Sequence, residues 1–243
     1  MMENVMTRGK VVDYRSAPLT PMGAGVHMAA ITGADGTKMQ ADYLRLDPGA
    51  RFDGCVPVGS DQYFFILSGD AVIAQRGQPG HAMKYGFFAL VEEGFEYVLT
   101  SAVPCELLSV VAPPPGDPSS MPGFKGGVKI VSMHNMPVES FPESKKQRIY
   151  LVGKAAVGSE RAHGMIVKYV ADTETTLHMH PDCESLFVFL EGATQLTVDG
   201  ERKVGTFGHA AFFPCGNKHA LHGMPGNSYF LEFHIPHQYT TVR

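Results

Sequence analysis

Short apolar runs recur along the chain, separated by turn residues, and two of them match. Asp61-Gln-Tyr-Phe-Phe-Ile-Leu-Ser-Gly69 and Glu184-Ser-Leu-Phe-Val-Phe-Leu-Glu-Gly192 both run from an acid to a glycine in eight steps. Each is followed by a strand-like segment, a turn and a second such segment. The turn is Arg76 to Gly80 in the first half and Asp199-Gly200 in the second. Asp-Gly between two alternating segments, Gln195 to Val198 and Glu201 to Val204, predicts a hairpin with a two-residue turn. Further on, Gly86, Glu92, Gly94 and Tyr97 echo Gly208, Pro214, Gly216 and His219. The offset is 123 residues from Asp61 to Glu184 and 122 from Gly86 to Gly208, so one residue is lost between these landmarks. Runs rich in Val, Phe, Tyr, Leu and Thr, broken every 8–12 residues by Gly, Pro or Asp-Gly, predict an all-β sandwich or barrel. No segment reads as a three-turn helix with capping signals at both ends.

Composition divides this pattern into two. Ala112 to Gly127 carries five prolines and four glycines in 16 residues, which can continue neither a helix nor a central strand. The expected organisation is an N-terminal domain over 1–111, a Pro/Gly-rich linker over 112–127 and a C-terminal domain over 128–243. Apolar residues make up 44% of the chain and charged ones 18%, enough for a buried core in each half. A net charge of −4, with no run of Lys or Arg, argues against nucleic acid as a partner. No apolar stretch approaches the ~20 residues of a membrane helix, and Met1 to Lys10 lacks the apolar core of a signal peptide. Cys55, Cys105, Cys183 and Cys215 are too scattered for a disulfide scaffold, and none forms a Cys-x-x-Cys pair. A cytoplasmic protein is expected.

Eight of the eleven histidines fall after residue 160. In His178-Met-His180-Pro-Asp-Cys-Glu184 the two histidines are two apart, and on a strand they share a face. Glu184 opens the next apolar run, and His219 follows Pro214-Cys-Gly216-Asn-Lys. Three imidazoles and a carboxylate converging on one point make a site for a first-row divalent metal. The ligand set His178, His180, Glu184 and His219 leaves Mn, Fe, Ni, Cu, Co and Zn open. Other groups are placed near it by alternation. With Lys168 outside, His163, Met165, Val167 and Tyr169 face in; Phe230, Glu232 and His234 share one face of the last apolar run. His163, Glu232 and His234 are the candidate acid–base groups. His222 is at odd spacing from His219 and points away, while Cys183 and Cys215 read as small packing residues close to the ligands.

The residues His178, His180, Glu184 and Gly192, followed by Pro214, Gly216 and His219, resemble the two motifs of the cupin superfamily. Here the second motif opens with Phe207-Gly208 and lacks a closing Asn. The resemblance covers both halves and implies a bicupin: two tandem cupin domains, each a jelly-roll β-barrel. The repeat sets Cys55, Pro57, Asp61 and Tyr97 at the positions of the four ligands, a set with no proline donor and a poor fit to a metal. One metal per chain, in the C-terminal domain, is therefore expected. The layout is similar to that of ureidoglycine aminohydrolases, which the resemblance pictures with a metal-free N-terminal barrel and a Mn-bearing C-terminal one. That family is expected to place Glu, His, His and Gln at positions 178, 180, 184 and 219, and this chain does not.

Four ligands leave one or two positions open, which permits hydrolase, lyase or isomerase chemistry on a small polar metabolite. The alternatives are an Fe(II)-dependent dioxygenase and a non-catalytic metal- or metabolite-binding protein. Phe187 and Phe189 alternate to the side opposite Glu184, where they would suit packing between barrels or a homodimer or higher homo-oligomer.

Overall fold

A computed structural model of the chain describes residues 8–114, 121–153 and 158–243. The middle of the Pro/Gly-rich linker, 115–120, lies outside the described residues, as does most of the N-terminal segment Met1 to Lys10. The described residues form strands throughout, with two single-turn 3-10 helices and no α-helix. None of their helices is long and apolar enough to cross a membrane.

The strands lie in four sheets. In the first half, a seven-stranded sheet runs in the order Val128–Ser132, Phe87–Val91, Asp61–Ser68, Cys105–Ala112, Gln40–Leu46, Val26–Ala30 and Thr20–Gly23. It packs on a four-stranded sheet of Ala50–Cys55, Glu96–Ser101, Asp70–Gln75 and His81–Lys84. In the second half the order is Lys10–Asp13, His209–Phe213, Glu184–Glu191, Ser228–Ile235, His163–Tyr169, Lys146–Val152 and Glu139–Phe141. Its facing sheet holds Glu201–Thr206, Ala193–Val198 and His219–Gly223. Both units are antiparallel jelly-roll sandwiches, and among the described residues no ladder closes either into a continuous barrel. The expected hairpin is present: Val198 pairs with Glu201, and Asp199 and Gly200 both take positive φ, 50° and 83°. That is the turn whose twist matches the strands it joins.

Sheet membership does not follow the expected division at 112–127. Lys10–Asp13 pairs with His209–Phe213 in the second half, and Val128–Ser132 pairs with Phe87–Val91 in the first. Each half thus lends an edge strand to the other, covering a row of backbone groups that would otherwise be unpaired.

Three apolar layers follow from this stacking. One fills the first unit, around Phe64, Ile73, Ala89 and Leu99. Another fills the second unit, around Met165, Val167, Phe187, Phe189, Leu196 and Phe230. The largest lies between the halves, where Leu186, Val188, Leu231 and Phe233 meet Tyr63, Phe65, Phe88 and Leu108. Strand Glu184–Glu191 is therefore buried on both faces. Its odd-numbered side, with Phe187 and Phe189, lines the second unit's interior, and its even-numbered side, starting at Glu184, faces the other half. The expectation that Phe187 and Phe189 form an outward packing surface is overturned, because the sheet behind them carries the inter-half layer instead.

Candidate metal centre

His178, His180 and His219 are brought together, with one ligand nitrogen of each within 4.8 Å of the others. His178 and His219 face each other across a two-residue bridge, each donating its backbone N–H to the other's carbonyl, at 3.0 and 2.8 Å. His180 follows two residues after His178, on the same side. The three rings share one further feature. Nδ1 of His178 lies 2.7 Å from the Thr176 carbonyl, Nδ1 of His180 lies 3.0 Å from the Thr240 carbonyl, and Nδ1 of His219 lies 3.1 Å from the Asn217 carbonyl. A carbonyl only accepts, so each Nδ1 carries the proton and each Nε2 presents a lone pair. Nε2 of His219 is buried with no hydrogen-bond partner. Backbone carbonyls that fix the tautomer, with a bare nitrogen aimed inward, are how metal-ligating histidines are held. The donor set fits a divalent transition metal.

Burial pushes all three imidazoles below the ordinary histidine value, helped by repulsion from neighbouring histidines, His234 among them: His180 to about 4, His219 to about 3, and His178 in the same direction. They are neutral at pH 7, as ligands must be. His163, outside the cluster, is held at about 4, chiefly by burial. In the unfolded chain these groups protonate near the ordinary value of ~6.5, before the folded protein does. The stability they contribute is thus fully present above ~6.5 and is lost as pH falls towards 4. Urea unfolding of the metal-free protein at pH 7.5, 6 and 5 is expected to show a midpoint that drops at each step. A midpoint that rises on acidification contradicts the assignment.

Glu184, expected as the fourth ligand, is not in the cluster. It is 1% exposed, and both of its oxygens point to the other half. Oε1 accepts from the backbone N–H of Thr37 at 2.8 Å and from the Thr37 hydroxyl at 2.6 Å. Oε2 accepts from the N–H groups of Lys38 and Met39, at 2.9 and 3.1 Å. Ser185, the next residue, takes the pocket side, with its hydroxyl 2.9 Å from Nδ1 of His234.

The matching acid of the first half does the same in reverse. Asp61, wholly buried, accepts from Arg161 Nη1 at 3.0 Å, Ser159 Oγ at 2.7 Å and the Phe124 N–H at 2.9 Å. Arg161 continues to Glu93 at 3.0 Å. The two repeat-related acids are thus reciprocal latches, each gripping chain from the opposite half.

The remaining positions of the degenerate set form no cluster. Cys55 is exposed, and Tyr97 is buried with its hydroxyl donating to Gln62 Oε1 at 3.0 Å. A Cβ on Gly54 would stand 2.3 Å from the Tyr97 ring, so that ring fills the space where the second half holds His219.

The histidine cluster opens into a cavity of about 320 Å³. Glu232 and His234 line it and are joined by a hydrogen bond from His234 Nε2 to Glu232 Oε1. Burial alone would raise the Glu232 carboxyl, but His234, Arg148 and Lys146 pull it down to about 2. His163 does not line the cavity; its ring stacks 6.3 Å from that of His234. His222 does not line the cavity and lies 3.8 Å from Glu174, and buried Cys183 donates to its neighbour's carbonyl at 3.1 Å.

The sequence reading missed two contributors. The C-terminal segment folds back over His178 to His180: Thr240 bonds Asp182 through its N–H and hydroxyl, and Tyr239 stacks on His234 at 4.4 Å. Lys146 and Arg148, two apart on strand Lys146–Val152, face the same cavity. The Lys-x-Arg spacing on a strand was a usable signal; for the C-terminal segment there was none.

A two-sandwich chain with a three-histidine pocket inside its second unit defines the class. Residues 165–230, in the second unit, match the cupin domain family model. Solved structures agree on the fold. The cupin 2 conserved barrel domain protein of Leptotrichia buccalis is 15% identical, with a TM-score of 0.69 over 93% of this chain and 96% of its own. Oxalate decarboxylase of Lactobacillus farciminis, in a formate complex, is 14% identical, with 0.71 over 96% and 87%. Protein Ylba of E. coli is 10% identical, with 0.77 over 96% and 92%. No curated protein matches the sequence.

Proposed function

We propose that the chain is a metal-dependent enzyme acting on a small polar metabolite in the cavity of its second unit. The observation that carries this reading is the convergence of three proton-free Nε2 atoms beside a cavity that His178 and His180 line and that also holds a carboxylate. His178, His180 and His219 would hold one divalent transition metal, and three protein ligands leave positions open for substrate. Such an ion supplies Lewis acidity to a substrate oxygen or nitrogen, or activates water. Glu232 is the group placed to move a proton: it is ionised at neutral pH, borders the cavity, and is held in one orientation by His234. His234 is in turn fixed by Ser185 and by the Tyr239 ring stacked on it. The C-terminal segment, over the His-x-His turn, shields this end of the cavity from water.

The test is turnover of a panel of small metabolites by the Mn-, Fe- and Zn-loaded protein, with and without oxygen. Activity that requires metal and falls at least ~100-fold in Glu232→Gln, with metal content unchanged, is the expected result. Turnover that survives chelation and removal of metal overturns the reading. Oxygen uptake coupled to substrate loss places the chemistry with the dioxygenases; anaerobic turnover places it with the hydrolases, lyases or isomerases.

A further inference from the structure

Lys146 and Arg148 are half-buried cations that form no ion pair of their own. They occupy the inward face of strand Lys146–Val152, where Lys146 pairs with Tyr169 and Arg148 with Val167. Both partners line the cavity. Among the described residues neither cation forms an ion pair. Lys146 lies over the Tyr169 ring at 5.0 Å, and Arg148 over the Phe141 ring at 4.9 Å. Aromatic faces hold the two side chains in place without consuming their hydrogen-bond donors. Nε of Arg148 is buried with no partner, and its one side-chain hydrogen bond, to the Tyr150 hydroxyl, is long at 3.4 Å. Arg243 adds a third cation to the lining. Against these stand two acids of the lining, Glu232, already engaged by His234, and the exposed Glu174 beside His222.

A guanidinium whose Nε is enclosed without a partner is costly unless something completes it. Its planar fork matches a carboxylate in a bidentate fit. We propose that the metabolite is a small carboxylate, gripped by Arg148 and Lys146 at one side of the cavity and presented to the histidine cluster at the other. This rests on the metal reading of the site, which it extends to a substrate class. The cavity, near the lower end of the usual ligand-pocket range, limits the ligand to a compact metabolite.

The test uses binding, not turnover. Calorimetry on the metal-loaded protein compares acetate, malonate and succinate with acetamide, malonamide and succinamide, with metal content measured on the same samples. At least one carboxylate is expected to bind ten-fold or more tighter than its amide. Arg148→Met is expected to lose about ten-fold for that acid and to leave the amide unchanged, while metal content stays the same. Lys146→Met gives the second reading should Arg148→Met fail to fold, with a smaller loss in the same direction. Equal affinity of wild type and variants for the acid means that the metal alone holds it, and overturns the proposal. So does wild type that prefers no acid over its amide. Binding that depends on Arg148 in protein that takes up no metal supports the carboxylate grip and sinks the metal reading, so the two failures are distinguishable.

Discussion

Glu184→Ala is expected to destabilise the protein by about 3–5 kcal/mol while leaving its metal-binding capacity intact. The carboxylate accepts four hydrogen bonds from Thr37, Lys38 and Met39, all at 3.1 Å or less. Removing it strands those donors at the junction of the two halves, at about 1–3 kcal/mol for each buried group left unsatisfied, with incomplete additivity. The loss resembles that from deleting one partner of a buried ion pair. For a chain of this length it corresponds to a fall in Tm of roughly 10 °C. Differential scanning calorimetry of the metal-free protein measures it. A change within 1 °C would mean that the latch contributes nothing. Glu184→Gln preserves the shape but turns an amide N–H2 towards backbone N–H groups, so an intermediate loss is expected. The first-half counterpart, Asp61→Ala, leaves Arg161 Nη1, Ser159 Oγ and the Phe124 N–H without their acceptor and should be of similar size.

The second large effect falls on the metal. His219→Ala is expected to weaken binding of a divalent transition metal at least ~100-fold, beyond the upper end of what changes behind a ligand cost. Its Nε2 is the most enclosed of the three, and Phe213 stacks on the ring at 4.2 Å, so the position cannot be refilled by a neighbouring side chain. The double variant His180→Ala, His219→Ala should retain no stoichiometric metal after dialysis. Circular dichroism at matched pH controls for folding. Metal retained at wild-type affinity in the double variant would place the site elsewhere.

These two expectations mark where sequence and structure part. The His-x-His pair and His219 are legible because strand alternation sets 178 and 180 on one side and the repeat fixes the level of 219. Tyr97 in the first half is legible by the same repeat, and its ring packs against Gly54 at the level that His219 holds in the second half. Glu184 misleads for a physical reason. Its strand is sandwiched between two apolar layers, so Leu186, Val188 and Leu190 on one side look no different from Phe187 and Phe189 on the other. With both faces buried, polarity cannot tell which of them borders the pocket. Spacing from the histidines then suggested a ligand where the chain has an inter-half anchor. The strand exchange at Lys10–Asp13 and Val128–Ser132 was hidden likewise, since pairing partners more than 35 residues away leave no local pattern. Glu232 and His234 were placed on their shared face by alternation alone, and the structure adds the hydrogen bond between them.

The central claim is one three-histidine metal site per chain, with Glu184 outside it. Elemental analysis of protein purified without chelators or a His-tag, run beside Glu184→Gln and the double histidine variant, tests it most directly. The account predicts about one equivalent of a divalent transition metal in the wild type, about one in Glu184→Gln and none in the double variant. No metal in the wild type even after loading, or its loss in a folded Glu184→Gln protein, would contradict it.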